Sequence, residues 1–151
     1  MTRKVSYCFV TTAILIIVAG FLDNLINKGN AIFDVNIHDT YFVAARVHIA
    51  VFISIIYALL GAGYWLFDKL RLCLNKPLTA THAFVTIGGV VLYWMFFLYS
   101  FVRKEKPYDF MSLSNDEFLN IRVLRIVVLV TLIQPLYIIN IIVGIAKRNK
   151  I

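Results

Sequence analysis

Residues 38–67 read HDTYFVAARVHIAVFISIIYALLGAGYWLF, and this stretch decides the fold of the chain. From residue 41 onward it is apolar almost throughout, and a helix needs roughly 20 such residues to cross a hydrocarbon core about 30 Å thick. Arg46 and His48 are exceptions, and ionisable groups inside a membrane span usually have a function. The stretch therefore predicts a membrane-spanning helix with a polar entrance.

Three further apolar stretches have a similar length, and the whole chain of 151 residues is unusually apolar. It is 61% hydrophobic with a mean hydropathy of +0.83, whereas soluble domains are typically about 45 to 50% apolar. We predict an all-α fold, an integral membrane four-helix bundle in which residues 1–151 form a single domain. The predicted helices are residues 5–22, 41–67, 80–102 and 123–146.

The formal net charge of +7 comes from short basic clusters that flank the apolar stretches. A nucleic-acid-binding protein would carry its basic residues along one face, so we expect no nucleic-acid partner. Lysines and arginines favour the cytoplasmic side of a membrane. The predicted spans put four to six of them on one side and eight on the other, so we predict that both termini are cytoplasmic. The eight are Arg3, Lys4, Lys69, Arg71, Lys76, Lys147, Arg148 and Lys150.

The first apolar stretch also fits a secretory signal peptide. Arg3 and Lys4 precede it, and the small residues of Val18-Ala19-Gly20 come near its end, as in a cleavage site. Because Met1 is present, we expect this stretch to be retained as the first span.

The segment before the second helix has the pattern of an extended chain. Residues 33–38 alternate between apolar and polar side chains, which is the period of a strand and predicts an extended outer loop. Asp39 or Thr40 is then expected to cap the second helix by accepting hydrogen bonds from its first backbone N–H groups.

The fourth helix carries its own local signals. The spacing of Ser114-Asn115-Asp116-Glu117 is that of a capping box and predicts that the helix begins before the membrane is reached. Pro135 removes a backbone donor inside the span and predicts a kink. Gln134 and Asn140 are six residues apart, so we expect them to point in different directions and to bond to neighbouring helices.

Residues 34–67 resemble subunit I of the haem-copper oxidases, the cytochrome c oxidase family. The family motif reads His-Asp-Thr-Tyr-aromatic-Val-Val-Ala-His-aromatic-His, and residues 38–48 read His-Asp-Thr-Tyr-Phe-Val-Ala-Ala-Arg-Val-His. A fainter likeness continues into Thr81-His82-Ala83-Phe84. The resemblance implies that the four spans correspond to the last four transmembrane helices of that subunit.

The same resemblance implies roles for four residues. His48 falls at an axial ligand of the low-spin haem, and Arg46 falls where the family has the histidine that binds the iron of the oxygen-reducing haem. An arginine has no lone pair to give a metal, and the family's copper ligands lie outside the region of resemblance, so we expect no oxygen-reducing centre. His38 and Asp39 match the pair that lies beside the haem propionates and a magnesium ion in the family.

The residues themselves leave several roles open. His48 can bond to a neighbouring helix or bind a haem. Because it would lie about 12 Å inside the span, a second histidine ligand of that haem would have to come from another chain. Arg46 is expected to form a structural ion pair with Asp39, seven residues earlier on the same helical face. His38 and Asp39 alone make an incomplete magnesium site. His82 is predicted to be interfacial.

These observations predict a non-catalytic accessory or structural component of a membrane assembly, such as a respiratory complex, in the bacterial inner membrane. The expected partners are the lipid bilayer and either other membrane subunits or a second copy, and we expect no resident cofactor. The alternative is an electron-transfer subunit that binds haem through His48 and a ligand from a second chain. A transporter or channel is disfavoured because the acidic residues lie outside the predicted spans.

Overall fold

The computed structural model describes residues 2–28, 32–37, 40–103 and 112–148. Within these ranges four helices are each long and apolar enough to cross a bilayer. The chain is therefore an integral membrane protein with an all-α fold, as predicted, and a small β-hairpin is added to it. The elements are α1 (Thr2–Ile26), β1 (Ile32–Ile37), β2 (Thr40–Ala45), α2 (Arg46–Lys69), α3 (Lys76–Arg103) and α4 (Ser112–Arg148).

The start of α2 differs from the prediction. The helix begins at Arg46 and not at residue 41, because residues 40–45 pair with β1 as an antiparallel strand. Threonine, tyrosine, phenylalanine and valine follow one another there, and these residues favour strands. The N-cap residue is Ala45, whose side chain makes no capping bond, so the prediction that Asp39 or Thr40 caps α2 is wrong.

The other helices extend beyond the predicted bounds. Helix α3 begins at Lys76, four residues before the predicted start, and proline is tolerated in a first helical turn such as that of Pro77. Helix α4 begins at Ser112, which confirms that it starts before its apolar span. Pro135 lies inside α4 without ending it.

The chain divides into two compact units, Met1–Arg71 and Leu72–Ile151. The first unit contains α1, the hairpin and α2, and the second contains α3 and α4. The single four-helix domain predicted for residues 1–151 stays a prediction.

In the first unit, α1 and α2 are antiparallel and approach closely. The Ser6 hydroxyl donates to the Gly61 carbonyl at 2.8 Å, and the Ser54 hydroxyl donates to the Ala13 carbonyl at 2.9 Å. A Cβ on Gly61 would lie only 2.9 Å from a methyl carbon of Val10 and 3.2 Å from the Ser6 carbonyl oxygen. Small residues thus bring the backbones together, and the serines bond across the contact, as is common between helices in bilayers.

An aromatic cluster lies in the half of this helix pair where α1 begins and α2 ends. The Phe9 ring lies 5.6 Å from the Tyr64 ring and 5.9 Å from the Tyr57 ring, measured between centroids. All three side chains are buried. Aromatic pairs at such distances add to the packing energy, so the cluster reinforces the contact that Ser6 makes with Gly61.

In the second unit, α3 and α4 are also antiparallel, and their contact includes both glycine packing and polar groups. A Cβ on Gly89 would overlap the Val130 side chain, so glycine is needed for the close approach. The buried residues of the α3 contact are mostly polar: Thr79, His82 and Thr86. The contact between these two helices therefore depends on hydrogen bonds as well as on apolar packing.

Candidate functional site

The hairpin leads into the polar entrance of α2 that the sequence singled out. Its register pairs Ile32 with Ala45 and Ile37 with Thr40. His38 and Asp39 lie outside the described residues, so the magnesium pair and the ion pair between Asp39 and Arg46 stay predictions. The described part of the site consists of Arg46, His48 and the groups that contact them.

Arg46 is the first residue of α2 and joins three elements of the first unit. Its Nη1 lies 3.6 Å from Oδ2 of Asp23 near the end of α1, and its Nε donates to the Ile32 carbonyl of β1 at 3.1 Å. A cation at the positive N-terminal end of a helix is unfavourable, and the Asp23 carboxylate offsets it. The Arg46 side chain thus ties the hairpin and α1 to the start of α2.

His48 lies closer to the start of its helix than the sequence predicted. With α2 beginning at Arg46, the His48 backbone is only about 3 Å along the helix axis and not about 12 Å inside the span. The imidazole is exposed. Residues two apart on a helix differ by about 200° in direction, so Arg46 and His48 cannot act on one site within a single chain.

His82 is buried between α3 and α4, and its place near the membrane interface stays a prediction. It lies six residues inside α3, and its ring is fully buried. The ring stacks on Tyr137 with a centroid distance of 5.3 Å, and its Nε2 lies 3.1 Å from Oε1 of Gln134. Because α3 starts four residues before the predicted start, His82 lies further along the helix than the sequence predicted.

The orientation of the Gln134 amide determines whether Nε2 of His82 carries a proton. The amide Nε2 of Gln134 donates to the Val130 carbonyl at 2.7 Å and lies 3.4 Å from the Thr86 hydroxyl oxygen. Its Oε1 is therefore the atom that faces His82, and a carbonyl oxygen can only accept. Nε2 of His82 consequently donates, and the imidazole acts as a link between the two helices.

A second polar contact lies nearer the start of α3. Nδ2 of Asn140 donates to the Thr79 hydroxyl at 2.7 Å, and Oδ1 of Asn140 accepts from the Asn75 backbone N–H at 2.7 Å. The Thr79 hydroxyl in turn donates to the Asn75 carbonyl at 3.0 Å. We call this group, together with the contact made by His82, Gln134 and Thr86, the polar seam.

The polar seam corrects one sequence prediction and confirms another. Gln134 and Asn140 both face α3, which corrects the prediction that they point in different directions. An ideal helix rotates by about 240° over six residues, so the contact with α3 must be wide enough to include both side chains. Their bonding to a neighbouring helix is confirmed. Sequence reasoning missed Thr79 and Thr86, whose spacing of three and four residues from His82 is that of one helical face.

Polar groups inside the described part of the chain are satisfied within the two units. Among these residues, no buried side-chain nitrogen or oxygen lacks a hydrogen-bond partner. No group of three or more histidine, cysteine, aspartate or glutamate side chains in the same ranges could hold a metal ion. The arrangement of the described polar residues is one that joins helices.

No protein-family model matches the chain, and no solved structure matches it. The resemblance to the haem-copper oxidases therefore rests on the residues of the sequence itself.

Proposed function

We propose that this chain is a non-catalytic accessory or structural component of a membrane assembly, related to the C-terminal part of haem-copper oxidase subunit I. The observation that carries the proposal is the polar seam, in which the hydrogen bonds of His82, Gln134 and Asn140 all lie within the α3–α4 pair. An enzyme or carrier would keep such groups available to a substrate or an ion. Here they stabilise the helix pair.

Arg46 supports the same proposal from the first unit. The oxidase family places an iron-binding histidine at the matching position, and the guanidinium of Arg46 has no lone pair for a metal. The Arg46 side chain instead bonds to Asp23 and to the Ile32 carbonyl, which gives it a structural role. We infer that the motif keeps the residue pattern of the family and has lost its oxygen chemistry.

The assembly would lie in the inner membrane of a bacterium, with both termini of this chain in the cytoplasm. Apolar side chains cover much of the described helix surface, including Phe52, Leu59, Phe84 and Leu132. Such surfaces suit lipid tails and the apolar helices of other subunits equally well. Partner subunits or a second copy would therefore bind within the bilayer, with the hairpin available at its surface.

Mild extraction tests the proposal. Tagged chain is taken from native membranes in a gentle detergent, separated by size, and its partners are identified by mass spectrometry. We expect defined respiratory or other membrane subunits in constant ratio to the tagged chain. A tagged single-span protein of unrelated sequence, extracted in parallel, serves as the control. Elution of the chain by itself, or with the same proteins as the control, contradicts the proposal.

A haem-binding electron-transfer subunit is the second candidate, and the exposure of His48 favours it. The imidazole stands at the start of α2 and is open to a neighbour. A haem iron bonded there would take its other axial ligand from a second chain. The protein is expressed with haem supplied, and its reduced absorption spectrum is recorded for the wild type and for His48→Ala. Sharp visible bands that disappear in His48→Ala support this candidate, and a wild type without bands ends it.

A further inference from the structure

One end of the first unit is strongly cationic. At this end the start of α1 meets the end of α2, because the Thr2 hydroxyl donates to Oδ1 of Asp68 at 2.5 Å. Four exposed cations lie within three residues of Thr2 or Asp68 in the sequence, and the Asp68 carboxylate is the one acidic group among the described residues there. We call this group the cationic end. Its cations are Arg3, Lys4, Lys69 and Arg71.

The opposite end of the same helix pair differs in charge. There the guanidinium of Arg46 is paired with Asp23, and Lys28 is the other cation among the described residues. The two ends are separated by the length of α1, 25 residues or about 37 Å. The asymmetry therefore runs across the full thickness of a membrane.

An aromatic ring sets the depth of the cationic end. Nζ of Lys69 lies 5.0 Å from the centroid of the Trp65 ring, and 46% of the Trp65 residue surface is exposed. Tryptophan side chains collect at the level of the lipid headgroups. An ammonium held beside this ring is therefore at the level where phosphate groups lie.

The backbone conformation of Arg71 also bears on the charge of this end. Arg71 follows the end of α2 with a φ of 55°, which lies in the left-handed region that glycine favours. Its backbone N–H donates to the Asp68 carbonyl at 3.1 Å, which closes the helix end. Glycine would make this turn with less strain. An arginine at this position adds a cation two residues after Lys69 in spite of the backbone cost.

We propose that the cationic end binds the headgroups of anionic phospholipids. The guanidinium groups of Arg3 and Arg71 can donate to phosphate oxygens in pairs, and the two lysines add positive charge. Juxtamembrane cations attract an anionic leaflet within a Debye length. The proposal is independent of the assembly role and rests on the membrane-spanning helices alone.

Lipid retention tests the proposal with the full chain. Protein in mild detergent is incubated with equal amounts of phosphatidylglycerol and phosphatidylcholine, and native mass spectrometry counts the lipids that stay bound. The wild type should retain phosphatidylglycerol in preference. Lys69→Gln combined with Arg71→Gln should reduce that preference by up to about 30-fold, since each cation near an anionic surface contributes roughly fivefold. Higher salt should weaken the wild-type preference.

Two further variants make the outcome decisive. Lys28→Gln combined with Arg125→Gln removes the same charge elsewhere, and both side chains are exposed, so it should leave the preference intact. Arg71→Gly removes one charge while giving the turn its preferred residue; it should fold well and lose about fivefold. Equal losses in the Lys28 and Lys69 double variants, an unchanged ratio in Arg71→Gly, or no wild-type preference would each overturn the proposal.

Discussion

Replacing Asn140 by leucine should weaken the α3–α4 pair. The amide accepts from the Asn75 backbone N–H and donates to the Thr79 hydroxyl, both at 2.7 Å. Hydrogen bonds between helices in bilayers average about 0.6 kcal/mol and reach about 1.7 kcal/mol. Loss of both bonds should therefore lower the free energy of unfolding by about 1 to 3 kcal/mol. Leucine fills a similar volume, so no large cavity adds to the cost.

A double-mutant cycle isolates the bond between Asn140 and Thr79. Reversible unfolding in detergent micelles is measured for Asn140→Leu, for Thr79→Val and for the two together. We expect a coupling energy of about 0.6 to 1.7 kcal/mol. Thr131→Val is the matched control, because the exposed Thr131 hydroxyl bonds to the Val127 carbonyl of its own helix. Strict additivity of the Asn140 and Thr79 effects would refute the interhelical role of the seam.

Three other substitutions test the first unit, and a fourth, in α3, is the control for one of them. Gly61→Ala should cost about 1 to 3 kcal/mol of unfolding free energy, since its Cβ would crowd α1. The control Gly88→Ala should be neutral or stabilising, because a Cβ there meets no atom within 4 Å. Equal effects of the two substitutions would contradict the close packing of Gly61 against α1. Ser54→Ala should cost about 0.6 kcal/mol in the same assay through its lost interhelical bond, and a stabilised variant would argue against that bond. Arg46→Gln should cost less than about 1 kcal/mol, because 34% of the Arg46 side chain and 14% of that of Asp23 are exposed. The same variant should speed hydrogen exchange in the hairpin, and unchanged exchange would count against the tie.

Hydropathy predicted the four helices because a bilayer imposes a simple requirement of length and apolar composition. The helix ends were harder to predict. Residues 40–45 continue the apolar run of α2 without a glycine or proline to break it, so nothing in their composition separates strand from helix. The period-two pattern before them did predict an extended chain. It does not indicate which residues pair with β1.

The candidate site was predictable in its residue types and not in its contacts. Arg46 was expected to have a carboxylate partner, and the structure supplies Asp23, which lies in another helix and 23 residues away in sequence. His82 was expected close to the start of α3, because the apolar pattern put that start too late, and its burial against α4 could not be predicted from one helix. The polar seam needs the pairing of α3 with α4, and single-helix periodicity carries no such information.

Oxygen uptake by the purified chain tests the central claim most directly, namely that the oxidase-like motif around Arg46 has no oxygen chemistry of its own. The protein is supplied with haem, copper and a reductant, and uptake is followed beside a protein-free detergent sample. Arg46→His, which restores a side chain with a lone pair at that position, is measured in the same way. The account predicts that both proteins consume oxygen at the rate of the protein-free sample. Uptake by the wild type that rises in proportion to its concentration would contradict it.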